Sequence, residues 1–238
     1  SYGDYANVLG QAWAVEALDR SGSAKAASAT DFLLKQQCSE GYFRTYLTTD
    51  KTAADQTCDG GKAASASDPS TDTTALAVIT LSQHSKTPAV SAALAKAKGW
   101  LAAAQAADGS WGGGAGTSTS NSNSTGLATR ALTGTASAKR GVAWLTARQA
   151  TANDGALSGE AGAIAYDDAA LTTARTAGIA DDTARDQWRR ATAQATLGLS
   201  AQTPPLVSAR SAVVKRKKPI VLRSNSFKPR ERVVVRYK

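Results

Sequence analysis

Residues 100–114 read Trp100-Leu-Ala-Ala-Ala-Gln105-Ala-Ala-Asp108-Gly109-Ser-Trp111-Gly-Gly-Gly114. In order, this is the end of a helix, a glutamine, an Asp-Gly turn, an aromatic residue and a run of glycines. Asp-Gly favours a tight turn because Gly109 adopts backbone conformations that other residues avoid. The stretch decides the fold because the same order of residues recurs elsewhere in the chain.

Two weaker copies of this order occur. Each has an aromatic-Leu pair, a glutamine four residues after the leucine, a glycine turn and then an apolar residue. The first copy is Phe32, Leu33, Gln37, Gly41 and Phe43, and the second is Trp144, Leu145, Gln149, Asp154-Gly155 and Leu157. An internal repeat of this kind predicts like helical units that stack on one another.

The composition fits a globular protein rather than a membrane-spanning one. The chain has 238 residues, of which 42% are hydrophobic and 20% are charged. This supports one sizeable core with room for a small second unit. No stretch of about 18 apolar residues occurs, so no transmembrane segment is predicted. We expect a secreted protein, extracellular or associated with the cell wall, from which a signal peptide has been removed.

Cys38 and Cys58 are the two cysteines, and both lie in polar sequence that contains glycine. The single histidine, His84, lies at a predicted helix end, where we expect it to be exposed. With so few ligands a metal site is disfavoured. A disulfide between Cys38 and Cys58 is favoured over two unrelated buried thiols. It would contribute roughly 3 kcal/mol and indicates an oxidising compartment outside the cytoplasm.

The excess positive charge lies at the C-terminal end. Residues 211–238 hold ten lysines and arginines and one acid, while the rest of the chain is neutral. The run Lys215, Arg216, Lys217 and Lys218 predicts contact with a protein or an anionic partner of the cell envelope. Nucleic acid is disfavoured because aromatic residues are not interleaved with these cations. The alternative is a piece of a second domain whose acidic part is missing.

Helical spacing of apolar residues and helix-start signals predict eight helices. They cover residues 4–19, 24–37, 72–83, 88–105, 126–132, 136–149, 163–177 and 183–199. A long polar loop, 39–70, is of a length that is usually functional or cross-linked. After Pro204-Pro205, β-branched and basic residues predict strands at 211–222 and 232–237. We therefore predict a helical repeat domain, 1–205, and a basic β segment, 206–238.

The string Gln105, Asp108-Gly109-Ser110-Trp111-Gly112 resembles the QW motif of the prenyltransferase and squalene-cyclase repeat superfamily. The copies at Gln37 and Gln149 extend the resemblance over roughly residues 4–200. The alanine-rich helices, the paired cysteines and the basic tail resemble secreted actinobacterial members. In those, an Ig-like module with a turn similar to Phe227-Lys-Pro-Arg-Glu231 follows the helices.

The resemblance implies a mainly α fold, an α/α toroid of stacked helical hairpins. A full toroid needs about twelve helices, so eight predict a partial or reduced ring followed by a short β segment. The resemblance also implies structural roles for the motif residues. The glutamine would cap the turn that follows it, and the aromatic residue would join neighbouring helices. The residues in question are Gln37, Phe43, Gln105, Trp111 and Gln149.

The catalytic signatures of the superfamily are missing. The DxDD acid string of triterpene cyclases does not occur, and the nearest string is Tyr166-Asp167-Asp168-Ala169. The zinc ligands of protein prenyltransferases and the Cys-Gly-Glu-Gln string of thioester proteins are also missing. Asp181, Asp182 and Asp186 superficially resemble a magnesium-binding DDxxD motif. For all five aspartates we favour helix capping and salt bridging over catalysis.

Three functions follow from these observations. The favoured one is a secreted, non-enzymatic cell-surface or interaction protein that needs no cofactor. The second is a binding module for a small hydrophobic or cobalamin-like ligand, held in the helical cavity. The third is a divergent terpene cyclase or prenyltransferase that uses some of the five aspartates.

Overall fold

A computed structural model describes residues 6–60, 68–84 and 87–202, together with the backbone of 208–209 and 222–223 in the tail. The chain divides into two compact units, residues 1–202 and 203–238. The first unit is helical. In the second, β1 (Ser208–Ala209) pairs antiparallel with β2 (Leu222–Arg223). The rest of the strands predicted at 211–222 and 232–237 lies outside the described residues.

The described part of the first unit holds eight α-helices and a 3-10 helix at Gly155–Glu160. The α-helices are α1 (Val8–Arg20), α2 (Ala26–Leu34), α3 (Thr71–Gln83), α4 (Pro88–Ala103), α5 (Ser122–Ala131), α6 (Ala136–Thr146), α7 (Asp168–Ala177) and α8 (Asp182–Gln202). Within the described ranges, none of these helices combines the length and apolar character that a membrane crossing requires.

Short polar side chains start most of the helices. A side-chain oxygen accepts a hydrogen bond from a backbone N–H in the first turn, which satisfies a donor that the helix leaves unpaired. The capping residues are Asn7, Ser70, Thr87, Asn121, Thr135, Asp167 and Asp181. Three predicted starts were wrong by four residues or more. Helix α1 begins at Val8 rather than at residue 4, α5 begins four residues earlier than expected because Asn121 caps it, and α7 begins at Asp168 rather than at residue 163.

The helices pack in a regular order. Helices α1, α3, α5 and α8 form a row in which each contacts the next, and α2, α4 and α6 pack on α1, α3 and α5. Helices α5 and α8 approach most closely at Gly126, where an added Cβ would overlap the backbone of Gln194 and Ala195. Only glycine fits there. The row agrees with stacked hairpins, while closure into a toroid stays a prediction.

One large core runs through the row and its outer helices. It includes the fully buried side chains of Leu33, Phe43, Leu101, Trp111 and Leu132. Two smaller clusters lie towards the C-terminal end of the unit. One joins the 3-10 helix to α7 and α8 through Leu157, Leu171 and Trp188, and the other includes Trp144, Leu145, Ile164 and Ala195. The first repeats therefore share one apolar core, as stacking requires, while the last one is packed by these two separate clusters.

The long polar loop after α2 is cross-linked by a disulfide between Cys38 and Cys58, as the sequence predicts. Beneath the loop, the guanidinium of Arg44 is fully buried. It donates to the side-chain oxygen of Gln36 from Nε (2.9 Å) and Nη2 (2.6 Å), and to the hydroxyl of Thr48 (2.9 Å) and the carbonyl of Gln56 (3.0 Å). A buried cation that is hydrogen-bonded in this way fixes the loop conformation, because moving any partner leaves a charge unsatisfied.

His84 joins α3 to α1, and the expectation that it is exposed was wrong. Its side chain is 7% exposed, and its ring nitrogens contact the carboxylates of Glu16 and Asp19 (2.5 Å to Asp19). Burial favours the neutral ring, but the hydrogen bonds to these two carboxylates outweigh it and raise the pKa of His84. The contacts of His84 therefore hold the C-terminal ends of two neighbouring helices together.

We expect the unfolding free energy to decrease as the pH rises. Because the pKa of His84 is raised in the folded state, the stabilisation is fully present below the unfolded value of about 6.5 and is lost above the folded one. Urea unfolding between pH 5.5 and 9 measures this. His84 is the only histidine, so His84→Gln should flatten the curve in this window. An unchanged slope in the variant would contradict the assignment.

Candidate functional site

The predicted motif glutamines form what we call the glutamine clasp: a side-chain amide that bonds its own turn and the next outer helix. Nε2 of Gln37 donates to the carbonyl of Gly41 (2.8 Å) and to that of Ala93 in α4 (2.9 Å). Nε2 of Gln105 donates to Gly109 (2.8 Å) and to Ser137 in α6 (2.9 Å). Each clasp thus ties one repeat to the next.

The turn glycines in these two clasps lie directly against the next outer helix. Gly41 and Gly109 have φ angles of 108° and 94°, in the region that favours glycine. A Cβ at Gly41 would come within 2.9 Å of the Lys96 carbonyl oxygen, and one at Gly109 within 2.9 Å of Cβ and the carbonyl oxygen of Arg140. The glycine is therefore required both by the turn and by the helix that packs on it.

The apolar residue of each motif is held by a threonine of the next helix in the row. The backbone N–H of Phe43 donates to the hydroxyl of Thr74 (2.9 Å), and that of Trp111 donates to Thr125 (3.0 Å). Trp111 is fully buried, and its indole N–H donates to the carbonyl of Leu101 (2.8 Å). These aromatic side chains lie in the core, so they have a packing role.

The third clasp uses a different turn from the predicted one. Gln149 donates to the carbonyl of Gly162 (3.1 Å), and Ile164 is the residue whose N–H donates to Thr192 (2.9 Å). The φ angle of Gly162 is 100°, as in the other two turns. The expected pair Gly155 and Leu157 instead lies in the 3-10 helix. An insertion between the glutamine and its glycine moved the true turn beyond the reach of a fixed-spacing comparison.

The threonines were missed by the sequence reasoning, although a signal was present. The strings Thr74-Ala-Leu-Ala77, Thr125-Gly-Leu-Ala128 and Thr192-Ala-Gln-Ala195 share a threonine, a small residue and an alanine at matching positions. In each of them the threonine hydroxyl accepts the motif N–H of the preceding turn. Aligning the row helices with one another would have revealed this second repeat.

The Asp-Gly turn also connects to the third outer helix. Oδ2 of Asp108 accepts a hydrogen bond from the indole of Trp144 (2.9 Å), and the guanidinium carbon of Arg148 lies 3.4 Å from the centre of that ring system. Burial opposes ionisation of Asp108, but hydrogen bonds from Ser110 and Trp144 outweigh it and lower its pKa. Arg148 also donates to Asp168 (2.5 Å). Asp108, Trp144, Arg148 and Asp168 thus form a series of contacts that joins the turn to the third outer helix.

The five candidate aspartates lie at the starts of α7 and α8. Asp167 caps α7 by accepting from Ala170 (2.8 Å), and Asp181 accepts from Ala184 (2.8 Å). Asp168 pairs with Arg148, Asp186 pairs with Arg190 (2.8 Å), and Asp182 is the first residue of α8. Four of the five thus have a structural partner, which leaves Asp182 without an assigned contact.

No candidate metal centre includes these aspartates in the described residues. In the part of the chain that the structure describes, the one group of three ligand atoms within 4.8 Å of one another belongs to Cys38, Glu40 and Asp59. The sulfur of Cys38 is bonded to Cys58 and is not available as a thiolate ligand, so this group does not form a metal site.

A small polar cavity of about 150 Å³ lies where α1, α3 and the glycine run of the central motif meet. Its walls include Leu9, Tyr46, Asp72, Gly113 and Thr117. The carboxylate of Asp72 accepts a hydrogen bond from Ser124, while its buried Oδ1 has no partner in the described residues. Asp72 was predicted only as a helix-start residue, and its place in this cavity was not foreseen.

Burial raises the pKa of Asp72, and the hydrogen bond from Ser124 only partly opposes this shift. Tyr166 lies close enough that burial and the charges of Asp167 and Asp72 raise its pKa. A carboxyl group with a raised pKa, in a cavity, is the kind of group that can donate a proton or bind a polar ligand. The predicted contact residues Lys215, Arg216, Lys217 and Lys218 lie outside the described residues.

Comparisons with known proteins give a likeness in structure but none in sequence. No protein-family model matches the chain, and no curated protein matches it. Among solved structures it is similar to ent-copalyl diphosphate synthase from Streptomyces platensis, with 20% identity and a TM-score of 0.48. The match covers 82% of this chain but 32% of the synthase, so the chain spans about a third of that enzyme. The likeness concerns the helical fold alone.

We expect the clasp of Gln105, which has two acceptors, to contribute more to the unfolding free energy than the clasp of Gln149, which has one. Gln105→Ala removes the hydrogen bonds to the carbonyls of Gly109 and Ser137 and should lower the unfolding free energy by about 1–3 kcal/mol. Gln149→Ala is the matched control, because it removes one exposed hydrogen bond and should cost about 1 kcal/mol or less. Urea unfolding at low protein concentration measures both. Equal losses would show that the second acceptor contributes nothing.

Proposed function

We propose that the chain is a secreted, non-enzymatic interaction protein built on a terpenoid-cyclase-like helical scaffold. The observation that supports this proposal is that most of the candidate polar side chains already have structural partners. The motif glutamines bond the repeats together, and four of the five candidate aspartates cap helices or pair with arginines. Side chains that a catalytic site would need free are thus engaged in holding the scaffold.

The partner in this proposal binds the basic C-terminal segment. Residues 211–238 contain the whole positive excess of the chain, and the remainder is neutral. A neutral body with a concentrated cationic segment attracts an anionic polymer or surface of the cell envelope through that segment. The Cys38–Cys58 disulfide supports a location outside the cytoplasm, where such partners occur.

A divergent cyclase is the second candidate, and one observation favours it. Asp72 has a raised pKa and an unpartnered buried oxygen, which are properties of an acid catalyst. The cavity beside it, about 150 Å³, is smaller than the roughly 300–1,000 Å³ of typical small-molecule sites. This size also gives no support to a cobalamin-like ligand at that cavity.

Turnover distinguishes the two candidates. The purified chain is incubated with squalene, with farnesyl diphosphate and with geranylgeranyl diphosphate, with and without Mg²⁺, and the products are measured by gas chromatography and mass spectrometry. We expect no product from any substrate. A product that disappears in Asp72→Asn, with folding unchanged by circular dichroism, would replace the non-enzymatic proposal by the cyclase.

Binding to an anionic polymer tests the partner. The full chain should co-sediment with anionic lipid vesicles or cell-wall polymer at low salt, and binding should weaken steeply as salt increases. Replacing Lys215, Arg216, Lys217 and Lys218 by glutamine should reduce the affinity at least tenfold. The matched control replaces four cations of the neutral body, Lys96, Lys98, Lys139 and Arg130. If the control variant loses binding equally, the basic segment is not the contact.

A further inference from the structure

The third glutamine clasp is incomplete. Gln37 and Gln105 each bond two carbonyl groups, one in their own turn and one in the next outer helix. Gln149 bonds the turn carbonyl of Gly162 and, within the described residues, has no outer helix to bond. The glycines agree: an added Cβ would meet the next helix at Gly41 and Gly109, but nothing lies within 4 Å of Gly162.

The spacing of the complete clasps defines the helix that the third one fits. The bonded carbonyls belong to Ala93 and Ser137, each 12 residues before the glutamine that follows, Gln105 or Gln149. The residues against the turn glycine, Lys96 and Arg140, each lie 9 residues before the same glutamine. The constant register means that one face of an outer helix is shaped for the clasp.

Helix α2 has residues at the same positions, and no glutamine of the described residues bonds them. Counting back from Gln37 in the same register gives Lys25 for the carbonyl and Ser28 for the residue against the glycine. Lys25 is exposed, whereas its counterparts Ala93 and Ser137 are buried. Ser28 is exposed, as are its counterparts Lys96 and Arg140. The first outer helix of the stack thus presents the surface that the last clasp lacks.

The helices at the two ends of the row, α1 and α8, also have exposed surfaces that could pack on each other. Helices α3 and α5 each have a row neighbour on both sides, while α1 and α8 each have one. Large apolar side chains are exposed on both end helices, with Trp13 of α1 61% exposed and Leu197 of α8 48% exposed. Beside Gly162, a surface cavity of about 510 Å³ runs along α8 past Trp188, Thr192 and Ala193.

We propose that these two ends bind each other between copies of the chain, with α2 of one copy seated in the Gln149–Gly162 clasp of the next. Helix α1 of the first copy then packs beside α8 of the second and covers Leu197 and Trp13. The contact joins two different surfaces, so it is head-to-tail and closes into a ring or extends as a chain. The contact does not depend on the non-enzymatic role proposed above.

The first experiment measures mass against concentration for the full chain by sedimentation. The average mass should rise above that of the monomer as the concentration approaches about 1 mM, the range of a weak interface. Ser28→Tyr enlarges the exposed α2 face and should raise the dissociation constant at least tenfold. Ser91→Tyr is the matched control, because Ser91 is an exposed serine on α4, whose clasp is already complete, and it should change nothing.

The second experiment tests the head-to-tail geometry. Ala193→Trp fills the cavity along α8, so this variant retains only its α2 end, while Ser28→Tyr retains only its clasp end. Each variant alone should be monomeric, and an equimolar mixture should form dimers that grow no further. Thermal unfolding verifies that both variants are folded.

Three results would overturn the proposal. The first is a monomeric wild-type chain at about 1 mM. The second is association that Ser28→Tyr and Ser91→Tyr weaken equally. The third is a mixture of the two end variants that remains monomeric although the wild type associates, because a symmetric contact would then account for the mass.

Discussion

The arrangement of the repeats depends on one type of contact, in which a glutamine side-chain amide donates hydrogen bonds to two carbonyl groups. Gln105 reaches back to its own turn and forward to the next outer helix, and it satisfies a backbone carbonyl at each end. A large change in the angle between a repeat and its neighbour would break one of these bonds, and each lost hydrogen bond costs about 1 kcal/mol. The clasp therefore sets the position of each hairpin relative to the next, and apolar packing fills the space that results.

Much of this arrangement could be predicted from the sequence, since repeats reveal themselves by self-comparison. The helical pairs, the capping of each turn by Gln37 and Gln105, and the Cys38–Cys58 pairing all follow from local sequence. The bond from each glutamine to the next outer helix was not foreseen, because that role was assigned to the aromatic residue. The third motif was misassigned for a local reason. An Asp-Gly pair ends six residues after Gln149, so turn chemistry indicated Gly155, although Gly162 supplies the carbonyl that Gln149 binds.

The candidate site was harder to predict because its properties come from tertiary packing. Asp72 is one of several acids at helix starts, and only the approach of the glycine run and Ser124 buries it and raises its pKa. His84 and Arg44 show the same limit. His84 is buried against carboxylates more than 60 residues away in the sequence, and Arg44 is buried by the folding of the loop around it. Hydrogen-bond partners of this kind leave no periodic signal.

The insertion between Gln149 and Gly162 shows where this scaffold accepts new sequence. Gln149 pairs with Ile164 across the base of the insertion, just as Gln37 pairs with Phe43 across its short turn. The ends of the segment are therefore held at a fixed separation whatever its length, and lengthening a loop whose ends are fixed adds little entropic cost. Each glutamine clasp is therefore a position at which extra residues can be inserted into a repeat without displacing the helices of the row.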